Sequence, residues 1–317
     1  MKRTRYLFLV LVVLCMTTMV FAGGQKEPVQ EDSGKLEIAL IIKATDSGFW
    51  QKVGDGGRAY DKEHADVNVT VYGPASEADI EQSIGILENV VESRPDAIVI
   101  GTNAGEGAIP SVERALSLGI PVITVDTRIP TEVTSHLATD NILGGQLAAE
   151  AMVKHLDLQG IPKRGTVAIV AAVAGVDTII ERDGGFIERL TELAPQIKIL
   201  EPRYVANDIA RAMTTAEDMI TTYRDLIGIY ADNNHTGDGV ARAIEQAGMK
   251  DGVVVVAFDD DEEQIIALRE GVIKTLIIQD QFNMGYSGIA FAVKAIEGET
   301  LPSFVDTGVK VTEKEDL

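Results

Sequence analysis

The sequence predicts an α/β protein of two doubly wound parallel-sheet domains, and three observations carry that expectation. The chain has 317 residues, too many for one small core and comfortable for two of ordinary size. From residue 36 onward, short β-branched apolar runs alternate with amphipathic stretches. The third is an internal echo. "DAIVIGTNAGEGAIPSVERALSLGIPVITVD" (96–126) lies over "DLIGIYADNNHTGDGVARAIEQAGMKDGVVVVAFD" (225–259) at one offset of 129. Asp96 falls on Asp225, Ile98 on Ile227, Ile100 on Ile229 and Gly119 on Gly248, and Asp126 meets Asp259 after a four-residue insertion.

In the first half the expected strands are Ile38–Ile42, Val67–Tyr72, Ala97–Ile100 and Val122–Val125. Between them "ADIEQSIGILENVVES" places Ile80, Ile84, Leu87 and Val91 on one helical face. The second half repeats the rhythm with Val167–Val173, Ile197–Leu200, Leu226–Tyr230, Val253–Phe258 and Thr275–Ile278. Continuously apolar strands of this length imply a parallel sheet covered on both faces. Ligands of such sheets bind beyond the strands' carboxyl ends, so two facing domains would line one cleft with those ends.

The N-terminus reads as an export signal over residues 1–22, with Lys2, Arg3 and Arg5 before the apolar run Tyr6–Phe21 and cleavage expected after Ala22. The only cysteine, Cys15, lies inside it. A lipoprotein anchor there is disfavoured, because bulky Leu14 precedes it where processing needs a small residue, so no disulfide or thiol chemistry is expected of the mature chain. Residues 23–35 have no apolar period and read as a flexible leader. Losing three basic residues takes the formal charge from −21 to −24, a poor match to nucleic acid.

Chemistry is conspicuous by omission. No G-x-G-x-x-G follows the first strand and no G-x-x-x-x-G-K-[ST] occurs, so no nucleotide cofactor is expected. "GYSG" (285–288) is followed by Ile289 where a nucleophile elbow needs glycine. His64, His136, His155 and His235 are scattered, and "DDDEE" (259–263) lacks the calcium-loop pattern, so no metal is expected. The later acids of that run suit the first turn of a helix. The expectation is a binding protein and not an enzyme.

The strand ends supply what a binder needs. Lys43 and Asp46 follow the first strand, Asp126 and Arg128 the fourth, Asn233 follows "IYAD", Asp259 follows "VVAF", Gln279 ends "TLIIQ", and Arg182 opens the helix of "IIERDGGF". Acids, cations and amides mixed in this way satisfy a ligand rich in hydroxyls, each both donor and acceptor. Phe49 and Trp50, the latter the only tryptophan, sit just past the first strand. They read as a stacking wall for the apolar face of a sugar ring, or alternatively as core plugs. Asp126 and Asp259 have the competing reading of turn or cap residues. Lys43 and Arg128 have that of solvated surface charges.

From about 36 to 310 the chain resembles the periplasmic sugar-binding proteins of the ribose/galactose type. The segments that carry the resemblance are "IALIIKATDSGFWQKVGDG", "VYGPASEADIEQSI", "GIPVITVDT", "SHLATDNILGGQLAAE", "ERDGGF", "YADNN", "VVVVAFDD" and "TLIIQDQFNMG". "IIKATDSGFW" and "PASEADIEQ" look like the allose-binding branch and somewhat like autoinducer-2 receptors. The resemblance implies first-domain ligand positions at Lys43, Phe49, Trp50 and Asp126. It implies second-domain or hinge positions at Arg182, Asn233, Asp259 and Gln279, with Asn207 where relatives often keep an aromatic. Asp46-Ser47-Gly48 departs from the usual Asn-Pro, and Gly101 stands where ribose binders have asparagine, although Thr102 and Asn103 are close. Thr127 stands where they have arginine, with Arg128 displaced by one. These departures point away from ribose itself.

The resemblance also implies a three-segment hinge near Thr139–Asp140, Gln279–Asp280 and Val305–Asp306. The lobes would then be 36–139 with 280–305, and 140–279 with 306–317. It further implies a monomer in the periplasm that closes on a monosaccharide or related polyol and delivers it to a membrane ABC permease. The other classes are a receptor for a furanosyl signal such as autoinducer-2 or a binding protein that reports its ligand to a chemoreceptor or sensor kinase, and an α/β enzyme with an unfamiliar site. A repressor sharing this core would begin with a helix-turn-helix instead of an export signal.

Overall fold

A computed structural model of the chain describes residues 34–317. The export signal, Cys15 and nearly all of the leader lie outside the described residues. Residues 36–317 hold two sheets, each sandwiched between helices. The first runs β12-β5-β4-β3-β1-β2, with β1 (Leu36–Ile41), β2 (Val67–Tyr72), β3 (Ala97–Ile100), β4 (Val122–Val125), β5 (Ser135–Ala138) and β12 (Phe304–Asp306). The second runs β13-β11-β10-β9-β6-β7, with β6 (Gly165–Ala171), β7 (Ile197–Ile199), β9 (Leu226–Ala231), β10 (Val254–Phe258), β11 (Thr275–Gln279) and β13 (Val309–Glu313). A two-residue strand, β8 (Arg203–Tyr204), pairs with β6.

The two orders match strand for strand, and the echo in the sequence overlays β3 on β9 and β4 on β10. Gly119 and Gly248, also matched by it, both hold left-handed backbone, at φ 80° and 64°. Both sheets reverse their order beside the first strand, the switch point where ligands of such sheets bind.

The strands are apolar throughout because each face meets helices. In β1, Ile38 and Leu40 join one core with Trp50 and Met284, while Ala39 and Ile41 join another with Leu87 and Val112. In β6, Val167 and Ile169 pack with Phe186, and Ala168 and Val170 with Ala212. A period-2 strand buried on both sides needs apolar residues at every position.

Two helix pairs anchor the sandwich. Helix α1 (Gly48–Glu63) packs on the long helix Gln281–Ile296, here α9, and α4 (Asn141–Leu158) packs on α5 (Asp177–Leu193). Both contacts are made through glycine. A Cβ on Gly56 would stand 2.0 Å from the Phe282 carbonyl oxygen, and one on Gly185 would stand 2.3 Å from that of Ile142. These two glycines are 129 residues apart, the same offset as the strand echo.

The structure departs from the expected sheet in two ways. β13 runs antiparallel to β11, so the second sheet is mixed. And β5, β8, β12 and β13 were not expected as strands. β5 reads "SHLA" and carries no apolar run; Ser135 Oγ donates to the Pro302 carbonyl, and the His136 ring bonds Thr124 Oγ1, so its polar side chains are satisfied inside.

The chain passes between the sheets three times. It leaves β5 and enters α4 through Thr139–Asp140, and leaves β11 for α9 through Asp280. Asp306 still pairs with Ala138 in the first sheet, so the third passage falls at Thr307–Gly308, just past the expected place. Asp140 and Asp280 each cap the helix they begin, accepting from the amides of Leu143 and Asn283. Asp306 Oδ1 accepts from the amides of both Asp140 and Gly308, which stitches the first and third passages together.

Candidate functional site

The carboxyl ends of β1, β3, β4, β6, β9, β10 and β11 converge on one hollow between the sheets. It holds about 490 Å³ of empty space, a figure that includes solvent at its open mouth.

On the first wall, Lys43 Nζ lies 2.8 Å from Asp126 Oδ2 and donates to Thr127 Oγ1 at 2.6 Å. Both partners of the ion pair are more than nine-tenths buried. Lys43 also lies 5.2 Å from the centroid of the Trp50 ring. Phe49 and Trp50 meet edge to face, 5.1 Å apart at 64°. They form a corner, so a single flat ring cannot lie face to face with both. Trp50 is 2% exposed yet lines the hollow. Its Nε1–H donates to Glu77 Oε1 at 3.0 Å.

On the second wall, Arg182 Nε donates to Asn141 Oδ1 and Nη1 to the Asp232 carbonyl oxygen, and its guanidinium lies 4.2 Å from the Phe258 ring centroid. Asp259 accepts from Gln279 Nε2 at 2.9 Å. Gln279 is 3% exposed, and its Oε1 has no partner in the protein. A buried acceptor in that condition costs free energy until something donates to it. Asn233 caps helix α7 (Asn234–Ala247) with its side-chain Oδ1, which accepts from the Thr236 amide, and its Nδ2 donates to Asn207 Oδ1.

Asp126 and Asp259 match in more than position. Both take left-handed backbone, at φ 65° and 72°, where few residues other than glycine, Asn and Asp settle. Neither caps a helix. Such backbone at a strand end turns the side chain sharply and is typical of sites under functional constraint.

Their electrostatics differ. Burial pushes both carboxyls up, but at Asp126 the charges of Lys43 and Arg182 and the bonds from Lys43 and Thr127 outweigh it, and the group stays below its usual range. At Asp259 burial wins over Arg182 and Gln279, and the carboxyl rises to about 7. Beneath the second wall, burial also raises Asp183 to about 7 against the pull of Arg182. Asp232 rises well above its ordinary value through burial and the nearby Asp183.

Asp183 is 4% exposed and neither of its oxygens has a partner. Its folded-state carboxyl therefore holds a proton that the unfolded chain releases near pH 4, so folding takes up a proton between about pH 4 and 7. Stability from this group is lost as pH rises through that window. Asp183→Asn is expected to match wild type near pH 4 and to gain on it up to pH 7, at roughly 1.4 kcal/mol for each tenfold change in proton affinity. Urea denaturation at pH 4, 5.5 and 8 measures it. A variant that loses ground with rising pH would mean an ionised, Arg182-paired Asp183.

Lys43, Phe49, Trp50, Asp126, Arg182, Asn207, Asn233, Asp259 and Gln279 all line the hollow. Asp46 does not; it is exposed on the loop before α1. Arg128 is exposed as well and lies 5.2 Å from the Phe304 ring centroid, outside the hollow. In both cases a residue a few positions along a loop from a lining residue turns outward. Glu77, Asn103, Asn234 and the apolar residues Val176 and Ile179 line the hollow without having been singled out as ligand positions. Glu77 and Asn103 lie on loops after β2 and β3; Asn103 is close in sequence to the position where ribose binders have asparagine, whereas nothing local distinguishes Glu77 from a residue of a solvated turn.

The "DDDEE" run divides its work. Asp259 faces the hollow and Asp260 pairs with Lys52 of α1 at 2.6 Å. Asp261 takes the cap position of α8 (Glu262–Glu270), and Glu262 and Glu263 fill its first turn. Asp260 also accepts from Gln281 Nε2, so the second wall touches α1 and α9 across the cleft. Among the described residues no cluster of His, Cys, Asp and Glu is arranged to hold a metal, and no helix is long and apolar enough to cross a membrane.

Paired α/β lobes that turn their strand ends and buried charges onto one shared hollow define a two-walled protein built to enclose a small polar solute. Residues 38–300 match the periplasmic binding protein domain, and the chain belongs to that family. It is 28% identical to the D-ribose/D-allose-binding protein of Pseudomonas aeruginosa, with 98% of each chain covered. Among solved structures it resembles a carbohydrate transporter solute-binding protein from Agrobacterium radiobacter in complex with D-arabinose. The TM-score is 0.84 and the identity 29%, over 90% of this chain and 96% of that one. An ABC transporter solute-binding protein from Agrobacterium vitis with bound D-fucose gives a TM-score of 0.81 and 31% identity, over 88% and 96%.

Proposed function

We propose that this protein is the exported solute-binding component of an ABC transporter, which encloses an uncharged monosaccharide between its walls and passes it to a membrane permease. One observation carries the reading most directly: Gln279, which lines the hollow beside Asp259 with its buried Oε1 unpartnered, stands opposite Lys43 and Asp126 on the other wall. A sugar hydroxyl supplies the missing donor. The names of the relatives, which include proteins for ribose, allose, arabinose, fucose, tagatose and fructose, favour a monosaccharide of five or six carbons.

Charge argues for a neutral ligand. Lys43 and Arg182 are matched by Asp126, Glu77 and the partly protonated Asp259, so no net cation awaits an anion. Each hydrogen bond to a charged group contributes ~1.5–3 kcal/mol, and a handful reaches about −8.2 kcal/mol, a micromolar complex, after association costs. The Lys52–Asp260 contact and the three passages fit a hinge that opens to admit solute and closes upon it. A periplasmic location and permease delivery follow from this reading.

The test is a titration with D-ribose, D-allose, D-arabinose and D-fucose, followed by calorimetry and by Trp50 emission. At least one sugar is expected to bind with unit stoichiometry and a change in emission, with Asp259→Asn weakening it at least tenfold. Silence across the panel by both methods would overturn the proposal.

A further inference from the structure

The indole of Trp50 is fixed at both ends. Its six-membered edge fills the space that a side chain at position 101 would need: a Cβ on Gly101 would stand 2.5 Å from Cη2 and 2.6 Å from Cζ3. Its nitrogen donates to Glu77 Oε1 at 3.0 Å. Over the ring lies the Lys43 ammonium. The other oxygen of Glu77, Oε2, accepts from Asn103 Nδ2 at 3.1 Å. One carboxylate on the loop between β2 and helix Ile80–Ser93 thus holds a side chain from α1 and another from the loop after β3, and all three line the hollow.

We infer that Glu77 is a positioning residue for ligand binding, setting the orientation of Trp50 and Asn103. The inference rests on the proposed function of the hollow. Its physical content is a division of space. The indole occupies the room beside Gly101, and the polar amide of this wall is supplied from Asn103, two residues further along. With its nitrogen turned to Glu77, Asn103 has its carbonyl oxygen left to offer a ligand hydroxyl. A carboxylate suits the task because it only accepts, and both neighbours present N–H groups to it. Glutamine retains one acceptor but must turn its own amide nitrogen toward one of two donors.

The chain's only tryptophan makes the arrangement directly readable. In ligand-free protein, Glu77→Ala is expected to alter the emission maximum or anisotropy of Trp50, with Glu77→Gln intermediate. For whichever of D-ribose, D-allose, D-arabinose or D-fucose the wild type binds, Glu77→Ala should weaken binding at least tenfold. Trp50→Phe keeps a ring and removes the donor, so Glu77→Ala in that background should cost clearly less, the remainder coming through Asn103. Equal fold-losses in the two backgrounds, or unchanged ligand-free emission, would overturn the inference. Glu77 is only half-buried, and urea denaturation of each variant separates a binding loss from a folding loss. If Asp259→Asn weakens binding while the Glu77 variants do not, the inference fails alone. If no sugar binds, or Asp259→Asn is also without effect, the reading of the hollow itself fails.

Discussion

Asp126→Ala is expected to abolish measurable sugar binding and to lower stability by about 3–5 kcal/mol, the range for stranding one half of a buried ion pair. Lys43 is 7% exposed and would keep only the Thr127 hydroxyl as a partner close by. The carboxyl of Asp126 is held ionised by Lys43 and Arg182, one from each wall, so its removal also unbalances the hollow. Two companions divide the effect. Asp126→Asn keeps the shape and an acceptor, and should lose less stability but most of the affinity. Lys43→Met with Asp126→Leu removes both charges and should recover much of the stability with no recovery of binding. Denaturation and calorimetry on the three variants read out the two quantities. An Asp126→Ala protein as stable as wild type would refute the buried-pair account.

Gly285→Ala is expected to be the most damaging substitution of a single hydrogen by a methyl group. The added Cβ would stand 1.9 Å from the Val53 carbonyl oxygen and 2.8 Å from its carbon. These are backbone atoms of α1, so relief requires moving one helix away from the other. The loss should reach or exceed the ~1–3 kcal/mol of ordinary overpacking. Because α1 carries Phe49 and Trp50, binding should weaken with it. Gly85→Ala is the control. Gly85 sits inside helix Ile80–Ser93, and a Cβ added there would meet nothing within 4 Å, so alanine should stabilise by roughly 0.5–1 kcal/mol. Chemical denaturation of the pair decides it, and a neutral Gly285→Ala would mean that α1 and α9 are not held this close.

The control and the clash also show where sequence reading stops. Gly85 and Gly285 look alike as helical glycines; only the facing helix distinguishes them. The same holds for Asp46 and Arg128, which share loop position and polar character with Asp126 but turn outward. Backbone direction at a strand end is decided by the left-handed φ of Asp126, which no local pattern announces. β5 and β12 carry no apolar period: β5 is held by pairing and by polar bonds inside the sheet, and β12 is three residues paired at the sheet edge. Glu77 was invisible for a related reason: its importance lies in two partners brought from distant segments.

The rhythm of the fold was legible in the residues alone. Apolar runs buried on both faces call for a parallel sheet between helices, and the 129-residue echo suggested that arrangement twice. The same reading placed the chemistry at strand ends, since polar residues that interrupt apolar strands gather there. Folding in three dimensions settled which of those residues share the hollow, how the aromatic corner is held, and which acids keep their protons. Those outcomes depend on distances of a few ångströms between segments far apart in the chain, and on the burial that folding alone creates.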